Sequence, residues 1–256
     1  MAVLPAASYN PVMPSYDETV DTPPEYESHI GDSRQYMRDI ILGVNDGLVS
    51  TFLLVSAVVG GGLDSTQVLL TAVAGALAGM ISMSIGEYLA TKSQDEVFDA
   101  EIALEKIHLR DHRQHERDQL TDMLGDMGLE GEDLETVVNI IDSSDEAMLN
   151  MHAALEFGVV DDERRSPYAA AVASGLLFLV GAAPSVFPFA IWDNTGQALL
   201  AAAVFSGIGL FAVGAVKTLQ TKKSWLISGG ENLILGLAAG VLSYFVGKAF
   251  DQLIAG

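Results

Sequence analysis

The sequence contains no cysteine and few basic residues, and both scarcities limit what the protein does. Without cysteine there are no disulfides, no thiolate metal ligands and no thiol nucleophile. Only 13 lysines and arginines stand against 34 acids, which gives a net charge of −21. Nucleic-acid binding needs a basic surface and is excluded, whereas cations are natural partners of an acidic one. Adaptation to high salt is an alternative explanation of the acidity.

Hydrophobic residues are abundant, at 50% of the 256 residues, although the charge is high. Apolar and charged residues must therefore lie in separate segments. Residues 1–33 are rich in Pro, Ser, Tyr, Asp and Glu and lack apolar periodicity, which is typical of a disordered acidic tail. They also lack the basic segment followed by an apolar one that marks a secretory signal.

Long apolar segments follow this tail, each about 20 residues in length, which is enough to cross a bilayer. They cover residues 39–60, 67–90, 168–190, 197–219 and 229–250. A single such run could be a buried helix of a soluble protein, but five predict an all-α membrane protein with five transmembrane helices. Glycines four residues apart in two segments predict close helix contacts: Gly75 with Gly79, and Gly236 with Gly240.

Basic residues near the ends of these spans predict the orientation, because cytoplasmic loops are enriched in them. They are Arg34, Arg38, Lys92, Arg164, Arg165, Lys217, Lys222 and Lys223. The links GGGLDSTQ and WDNTGQ contain none, and Lys248 is a single exception. We therefore predict a cytoplasmic N-terminus and an external C-terminus. The acidity suggests a salt-loving prokaryote, so we predict the cell membrane as the location.

The predicted organisation has four parts, and the second and third spans are separated by a polar insert. The parts are the tail 1–33, spans one and two in 34–91, a cytoplasmic metal-binding insert in 92–166, and spans three to five in 167–256. The insert is predicted to form three helices. The first continues from span two to about Leu124, LETVVNIIDS is the second, and SSDEAMLNMHAALEFG is a third that ends at Gly158.

One face of the first insert helix collects candidate metal ligands, while its bases lie on the opposite face. A third-helix pair, one turn apart, adds to them. Carboxylates together with imidazoles suit iron, manganese or zinc. A solvated surface helix is the alternative for any single residue. The predicted metal site consists of Glu101, Glu105, His108, His112, Glu116, His152 and Glu156, with His115, Gln119 and Met151 beside them.

Asp46 interrupts the apolar segment ILGVNDGLVSTFLLVSAVVGGG. A carboxylate within a span is costly and indicates function, although a side chain that reaches the membrane surface is the alternative. In span two, Met80, Met83 and Glu87 share one helical face. Thioethers hold transition metals weakly and carboxylates hold them more firmly, whereas simple packing is the alternative for the methionines. These four residues form the predicted transport path.

Two motifs, RDIILGVNDGLVSTF and ISMSIGEYLATKSQ, resemble the vacuolar iron transporter family, and the resemblance covers about residues 34–252. It implies a homodimer in the lipid bilayer that exports Fe²⁺, and often Mn²⁺, from the cytoplasm in exchange for protons. It also implies roles for particular residues. Asp46 and Met83 would line the pore, and Glu105, Glu116 and Glu156, with Glu101 adjacent, would bind metal in the insert.

The sequence departs from the family pattern at several of these positions. Gly75 stands where plant members carry a glutamate, and Glu87 follows the prokaryotic pattern. At further insert ligand positions the chain offers His108, Gln119 and His152. Imidazole strengthens the binding of later first-row metals such as zinc, and it titrates near neutral pH. Loading of the insert is therefore expected to depend on pH.

The sequence thus predicts a proton-coupled exporter of divalent metal and not an enzyme. One alternative is a membrane-anchored ferroxidase, since helical bundles build di-iron sites from Glu-x-x-His motifs. Glu105 and His108 supply that motif once, while His152 and Glu156 have reversed order and a spacing of four. Another alternative is a metal buffer for which the spans are only an anchor.

Overall fold

The structure is a computed structural model, and it describes residues 33–156, 165–219 and 224–255. The elements of these ranges are helical, as the all-α prediction requires. In chain order they are α1 (Ser33–Gly60), α2 (Ser65–Asp111), α3 (Arg113–Asp126), α4 (Gly131–Asp142), α5 (Asp145–Glu156), α6 (Pro167–Ile191), α7 (Thr195–Val216), a 3-10 turn (Lys217–Leu219) and α8 (Trp225–Ala255).

Among the described residues, five helices are long and apolar enough to cross a membrane: α1, α2, α6, α7 and α8. They coincide with the five predicted apolar segments, so the prediction of a multi-pass membrane protein is confirmed. Helix α8 begins at Trp225, four residues before the predicted start, because the apolar WLIS stretch joins the span. Helix α6 packs against α1, α2 and α7, while α8 packs against α1 and α7.

Glycines allow these helices to approach closely at the predicted positions. A methyl group added to any of them would collide with a side chain of a neighbouring helix. The colliding pairs are Gly75 with Leu54, Gly79 with Phe178, Gly236 with Leu210, and Gly240 with Phe52. Both predicted glycine pairs therefore mark contacts between helices within one chain.

Helix α2 is far longer than a membrane crossing requires. Its 47 residues extend about 70 Å at 1.5 Å per residue, while the hydrocarbon core is about 30 Å thick. Asp64 begins it with a capping box, in which its side chain accepts the Gln67 N–H while the Gln67 side chain accepts the Asp64 N–H. The second half of α2 is therefore longer than a crossing requires, and it packs against α3 and α5.

The first insert helix is not continuous to Leu124, contrary to the sequence prediction. Helix α2 ends at Asp111, His112 adopts a non-helical backbone (φ −134°, ψ 31°), and α3 starts at Arg113. The segment RDHRQHERD has no glycine or proline to mark the break. The break is caused by tertiary packing, because the bend lets α3 fold onto α4 and α5.

The insert has a small apolar core of its own, which holds the extension of α2 together with α3, α4 and α5. Its buried members are Leu109, Leu120, Leu124, Val138, Ile141 and Met148. Gly128 (φ +100°) and Gly131 (φ +61°) lie at the turn between α3 and α4 in a conformation that favours glycine. The side chain of Ser144 accepts the Ala147 N–H at 3.3 Å and so caps the start of α5. The predicted end at Gly158 lies outside the described residues.

Candidate metal centre and transport path

Three polar side chains are buried at the centre of the insert, and each comes from a different helix. Glu105 of α2 is 3% exposed, Glu116 of α3 is 2% exposed and His152 of α5 is 0% exposed. His108 and Glu156 complete the cluster and are partly open to solvent. The bend at His112 and the apolar core bring these residues together from distant parts of the sequence.

His152 lies at the middle of the cluster, close to several carboxylates. Its Nδ1 atom is 3.5 Å from Glu105 Oε1, 3.7 Å from Glu116 Oε2 and 3.8 Å from Glu156 Oε2. The Nδ1 atom of His108 is 3.5 Å from Glu116 Oε1 and 3.8 Å from Glu105 Oε2. These separations are longer than direct hydrogen bonds, so the carboxylates and imidazoles surround a common space.

Several polar atoms in this space have no hydrogen-bond partner among the described residues. They are Glu105 Oε1 and both ring nitrogens of His152. Buried polar groups are nearly always satisfied, because leaving one without a partner costs about 1–3 kcal/mol. The Glu105 oxygen and the unprotonated ring nitrogen of His152 are electron-pair donors to a metal, and buried donors of this kind without other partners are what a cation site requires.

The electrostatics of the cluster also favour a cation. Burial raises the pKa of the Glu105 carboxyl, and the nearby negative charges of Glu116 and Glu156 raise it further. His152 and His108 act in the opposite direction but do not cancel the effect. A divalent ion would reverse this balance, because a positive charge beside a carboxylate favours its ionised form.

Two overlapping sets of ligands share Glu105. One set consists of Glu105, His152 and Glu156, and the other of Glu105, His108 and Glu116. Within each set the ligand atoms lie within 4.8 Å of one another. A mixture of carboxylate oxygens and imidazole nitrogens suits first-row divalent metals such as iron, manganese and zinc.

Two of the predicted metal ligands lie outside both sets. Glu101 is half-buried one turn before Glu105 on α2. His112 is exposed at the break between α2 and α3, where its ring centre is 6.3 Å from that of His108. His115 is exposed as well, and Met151 packs against the apolar core of the insert. The bend separates residues that a continuous helix would have aligned.

Two arginines of α3 form hydrogen bonds to Asp142, the last residue of α4. Arg113 Nε and Arg117 donate to the two carboxylate oxygens of Asp142, each at 2.9 Å. Burial pushes the pKa of Asp142 upward, but the hydrogen bonds from Arg117 and Arg113 outweigh it and hold the pKa below its ordinary value. This network, which sequence periodicity did not reveal, fixes the helix that carries Glu116.

A second polar site lies within the membrane helices, where Asp46 and Met83 line the same groove. The groove has a volume of about 330 Å³. Its other lining residues come from α1, α2 and α6: Ser50, Thr51, Leu54, Gly75, Gly79, Ser82 and Phe178. Gly75 and Gly79 line the groove and allow α2 to lie close to Leu54 and Phe178. Asp46 itself is exposed in the single chain.

The other two predicted path residues do not line this groove. Met80 packs beside Phe178 and Ala182 and lies close to Gly175, so it serves the packing of α2 against α6. Glu87 is half-buried one helical turn beyond Met83. Of the four predicted path residues, the structure therefore brings Asp46 and Met83 together.

The model of the VIT family matches residues 37–248. The chain belongs to the VIT family. This match runs from α1 into α8 and includes the insert, and it confirms the resemblance that the two sequence motifs indicated.

Several named relatives match this VIT-family chain over most of its length and most of their own. Vacuolar iron transporter 1 of Tulipa gesneriana is 27% identical over 96% of this chain and 98% of its own length. Vacuolar iron transporter 2 of Oryza sativa subsp. japonica is 29% identical over 86% and 89%, respectively. Vacuolar iron transporter 1 of Arabidopsis thaliana is 27% identical over 85% and 87%. These relatives are transporters by name, which supports the prediction of a transporter over that of an enzyme.

Proposed function

We propose that this protein exports a divalent metal, Fe²⁺ and also Mn²⁺ or Zn²⁺, from the cytoplasm in exchange for protons. The observation that carries the proposal is the buried cluster around Glu105, whose orphaned ligand atoms suit a cation. The relatives named as iron transporters support iron as the substrate.

The insert collects the metal and the membrane groove conducts it. Glu105 and Glu87 lie 18 residues apart on α2, which corresponds to about 27 Å of helix. An ion therefore leaves the insert cluster before it reaches the membrane. Glu87 lies between the two sites on the same helix, so we assign it the role of receiving the ion before Asp46 and Met83.

The presence of two histidines in the cluster bears on metal preference. Imidazole nitrogen binds the later first-row metals more strongly than carboxylate oxygen does. We therefore expect the insert to hold Zn²⁺ more tightly than Fe²⁺, and Mn²⁺ most weakly. Transport preference can differ from this order, because Asp46 and Met83 provide a different ligand set.

A homodimer would explain why Asp46 is exposed in a single chain. A carboxylate that faces lipid hydrocarbon is costly. A second copy placed against the open side of the groove would cover Asp46 and Met83 and would convert two grooves into one enclosed pore. We therefore place the transport path at the interface between two copies of the chain.

We place the N-terminal tail (1–33) and the insert (92–166) in the cytoplasm and the C-terminus outside, as the distribution of lysine and arginine favours. The membrane segments are then 34–91 and 167–256. The named relatives are vacuolar proteins. The strong acidity of this chain supports a prokaryotic cell membrane instead, from which export out of the cytoplasm has the same direction as transport into a vacuole.

Metal uptake into proteoliposomes, with and without an outward-directed proton gradient (acidic lumen), tests the exchange. Deprotonated carboxylates bind the ion, and protons that arrive from the opposite side displace it, so the gradient should accelerate uptake. Equal uptake under both conditions would exclude proton coupling.

A metal buffer or ferroxidase would use the insert without the membrane groove. The sharing of Glu105 by two ligand sets is the feature that favours a two-metal chemistry of this kind. An assay of Fe²⁺ oxidation by the purified protein separates the possibilities, because sustained turnover indicates an enzyme and simple binding does not.

A further inference from the structure

An amide of α8 holds the turn of α1 that carries Asp46. The Nδ2 atom of Asn232 donates to Asn45 Oδ1 at 3.0 Å and to the Leu210 carbonyl oxygen at 2.7 Å. A single amide group has two N–H donors, so both bonds form at once and join α8 to α1 and α7. Asn45 immediately precedes Asp46, so the link is made directly beside the carboxylate.

The same turn of α1 is fixed against α6 by direct backbone contact. A methyl group added to Gly47 would collide with the backbone of Phe178, and one added to Gly181 would collide with the backbone of Val44. The two helices therefore touch without side chains between them. With α6 on one side and Asn232 on another, the turn is held so that Asp46 faces the groove.

Neighbouring residues of this turn open into separate cavities. Asp46 lines the groove shared with Met83, while Asn45 and Asn232 line a pocket of about 190 Å³ formed by α1, α7 and α8. A rotation of α1 about its axis would turn Asp46 within the groove, and the same rotation would pull Asn45 away from Asn232. The amide pair is therefore coupled geometrically to the direction of the carboxylate.

We propose that Asn232 is a positioning residue for metal transfer, which acts through Asn45 to fix the rotation of α1 and the direction of the Asp46 carboxylate. This inference rests on the proposed role of Asp46 in the transport path. Asn232 does not line the groove, so its effect is exerted through α1 and not through contact with the ion.

The chain offers a matched control on the same pair of helices. Ser243 Oγ of α8 donates to the Leu53 carbonyl oxygen of α1 at 2.8 Å. Leu53 lies eight residues after Asn45, about 12 Å further along the helix. Ser243→Ala therefore removes a hydrogen bond between α8 and α1 without releasing the turn that carries Asp46.

The test measures Mn²⁺ uptake into proteoliposomes as a function of metal concentration for several variants. They are Asn45→Ala, Asn232→Ala, the double variant, Ser243→Ala and Asp46→Asn. Loss of one hydrogen bond to a correctly placed group corresponds to about a three- to tenfold change in affinity. Asn45→Ala and Asn232→Ala should raise the apparent KM by that factor and leave the maximal rate nearly unchanged.

The double variant should have the same apparent KM as Asn232→Ala, because both single changes remove the same bond between α1 and α8. Ser243→Ala should retain the wild-type KM, although it should lower the thermal stability about as much as Asn232→Ala does. If the Asn232 and Ser243 variants shift KM equally, or the two Asn changes add, Asn232 has only a structural role. If Asp46→Asn transports normally, the proposed path itself is wrong.

Discussion

Replacement of Glu105 by glutamine should weaken metal binding and stabilise the metal-free protein. Glu105 belongs to both ligand sets, so the change removes a charged ligand from each. Its Oε1 atom lacks a hydrogen-bond partner within the described structure. If Glu105 served the fold, its replacement would lower the stability of the metal-free protein. If it serves metal binding, its replacement should raise that stability.

The size of the first effect follows from mass action. Changes in groups that only support metal ligands weaken binding by about 10- to 100-fold, so loss of a shared ligand should cost about 100-fold. At a metal concentration about 100 times the wild-type Kd, the wild type gains about 2.7 kcal/mol and the variant about 0.4 kcal/mol. In a chain of this size the difference lowers the metal-induced shift in Tm by roughly 5–9 °C.

The second effect has the opposite sign. Glutamine removes a buried negative charge from beside Glu116 and Glu156, so the metal-free variant should gain about 1 kcal/mol. Burial raises the Glu105 pKa above its ordinary value of 4.5. The folded protein therefore binds this proton more tightly than the unfolded chain, and stability falls as pH rises from 4.5 through the folded pKa. Glu105→Gln should lack that fall.

Thermal unfolding in detergent, with chelator and with added Mn²⁺ or Zn²⁺, measures both effects. Glu101→Gln is the matched control, because it removes a carboxylate one turn away that lies outside both ligand sets. The reasoning would be refuted if the two variants had the same Tm shift with metal, or if Glu105→Gln destabilised the metal-free protein.

The remaining predictions concern the metal preference of the insert, its stability and the groove. His152→Met should weaken Zn²⁺ binding by calorimetry about tenfold more than Mn²⁺ binding, because thioether replaces imidazole; equal losses would exclude a role for the imidazole in selectivity. Arg117→Ala should lower the stability of the insert by about 1–2 kcal/mol in urea unfolding monitored by circular dichroism. The stabilisation that Asp142 provides is present above its unfolded pKa and disappears as pH falls through its lowered folded pKa, so the Arg117 variant and the wild type should converge in acid; a constant difference would contradict this. Ser82→Phe should block metal uptake by filling the groove and leave metal binding to the insert intact, whereas Leu77→Phe, on an exposed part of α2 outside the groove, should transport normally.

The membrane architecture was predictable because runs of about 20 apolar residues have few alternatives to a transmembrane helix. Proximity of ligands was predictable only in part. Helical periodicity placed Glu105 and His108 together, since it depends on local geometry alone. The approach of His152 to Glu105 depends on how α5 packs onto α2, which the sequence pattern does not specify.

The mistaken prediction of one continuous helix through His112 has the same origin. Nothing in the local sequence marks the break at His112, because residues such as Arg, Gln and Glu are ordinary helix formers. The arginine pairing with Asp142 and the insert core decide where the chain bends. Met80 and Met83 are equivalent by spacing and composition, and both pack against the cluster of Phe178 and Ala182, but Met83 also lines the groove.

The most direct test of the account is the rate of Fe²⁺ uptake by vesicles that contain Asp46→Asn, measured beside metal binding to the insert of the same variant. Asparagine keeps the shape of aspartate and removes its charge. The account predicts uptake at the level of empty vesicles with unchanged binding to the insert. Uptake at the wild-type rate would contradict it, because the dication would then cross the membrane without the Asp46 carboxylate that lines the groove.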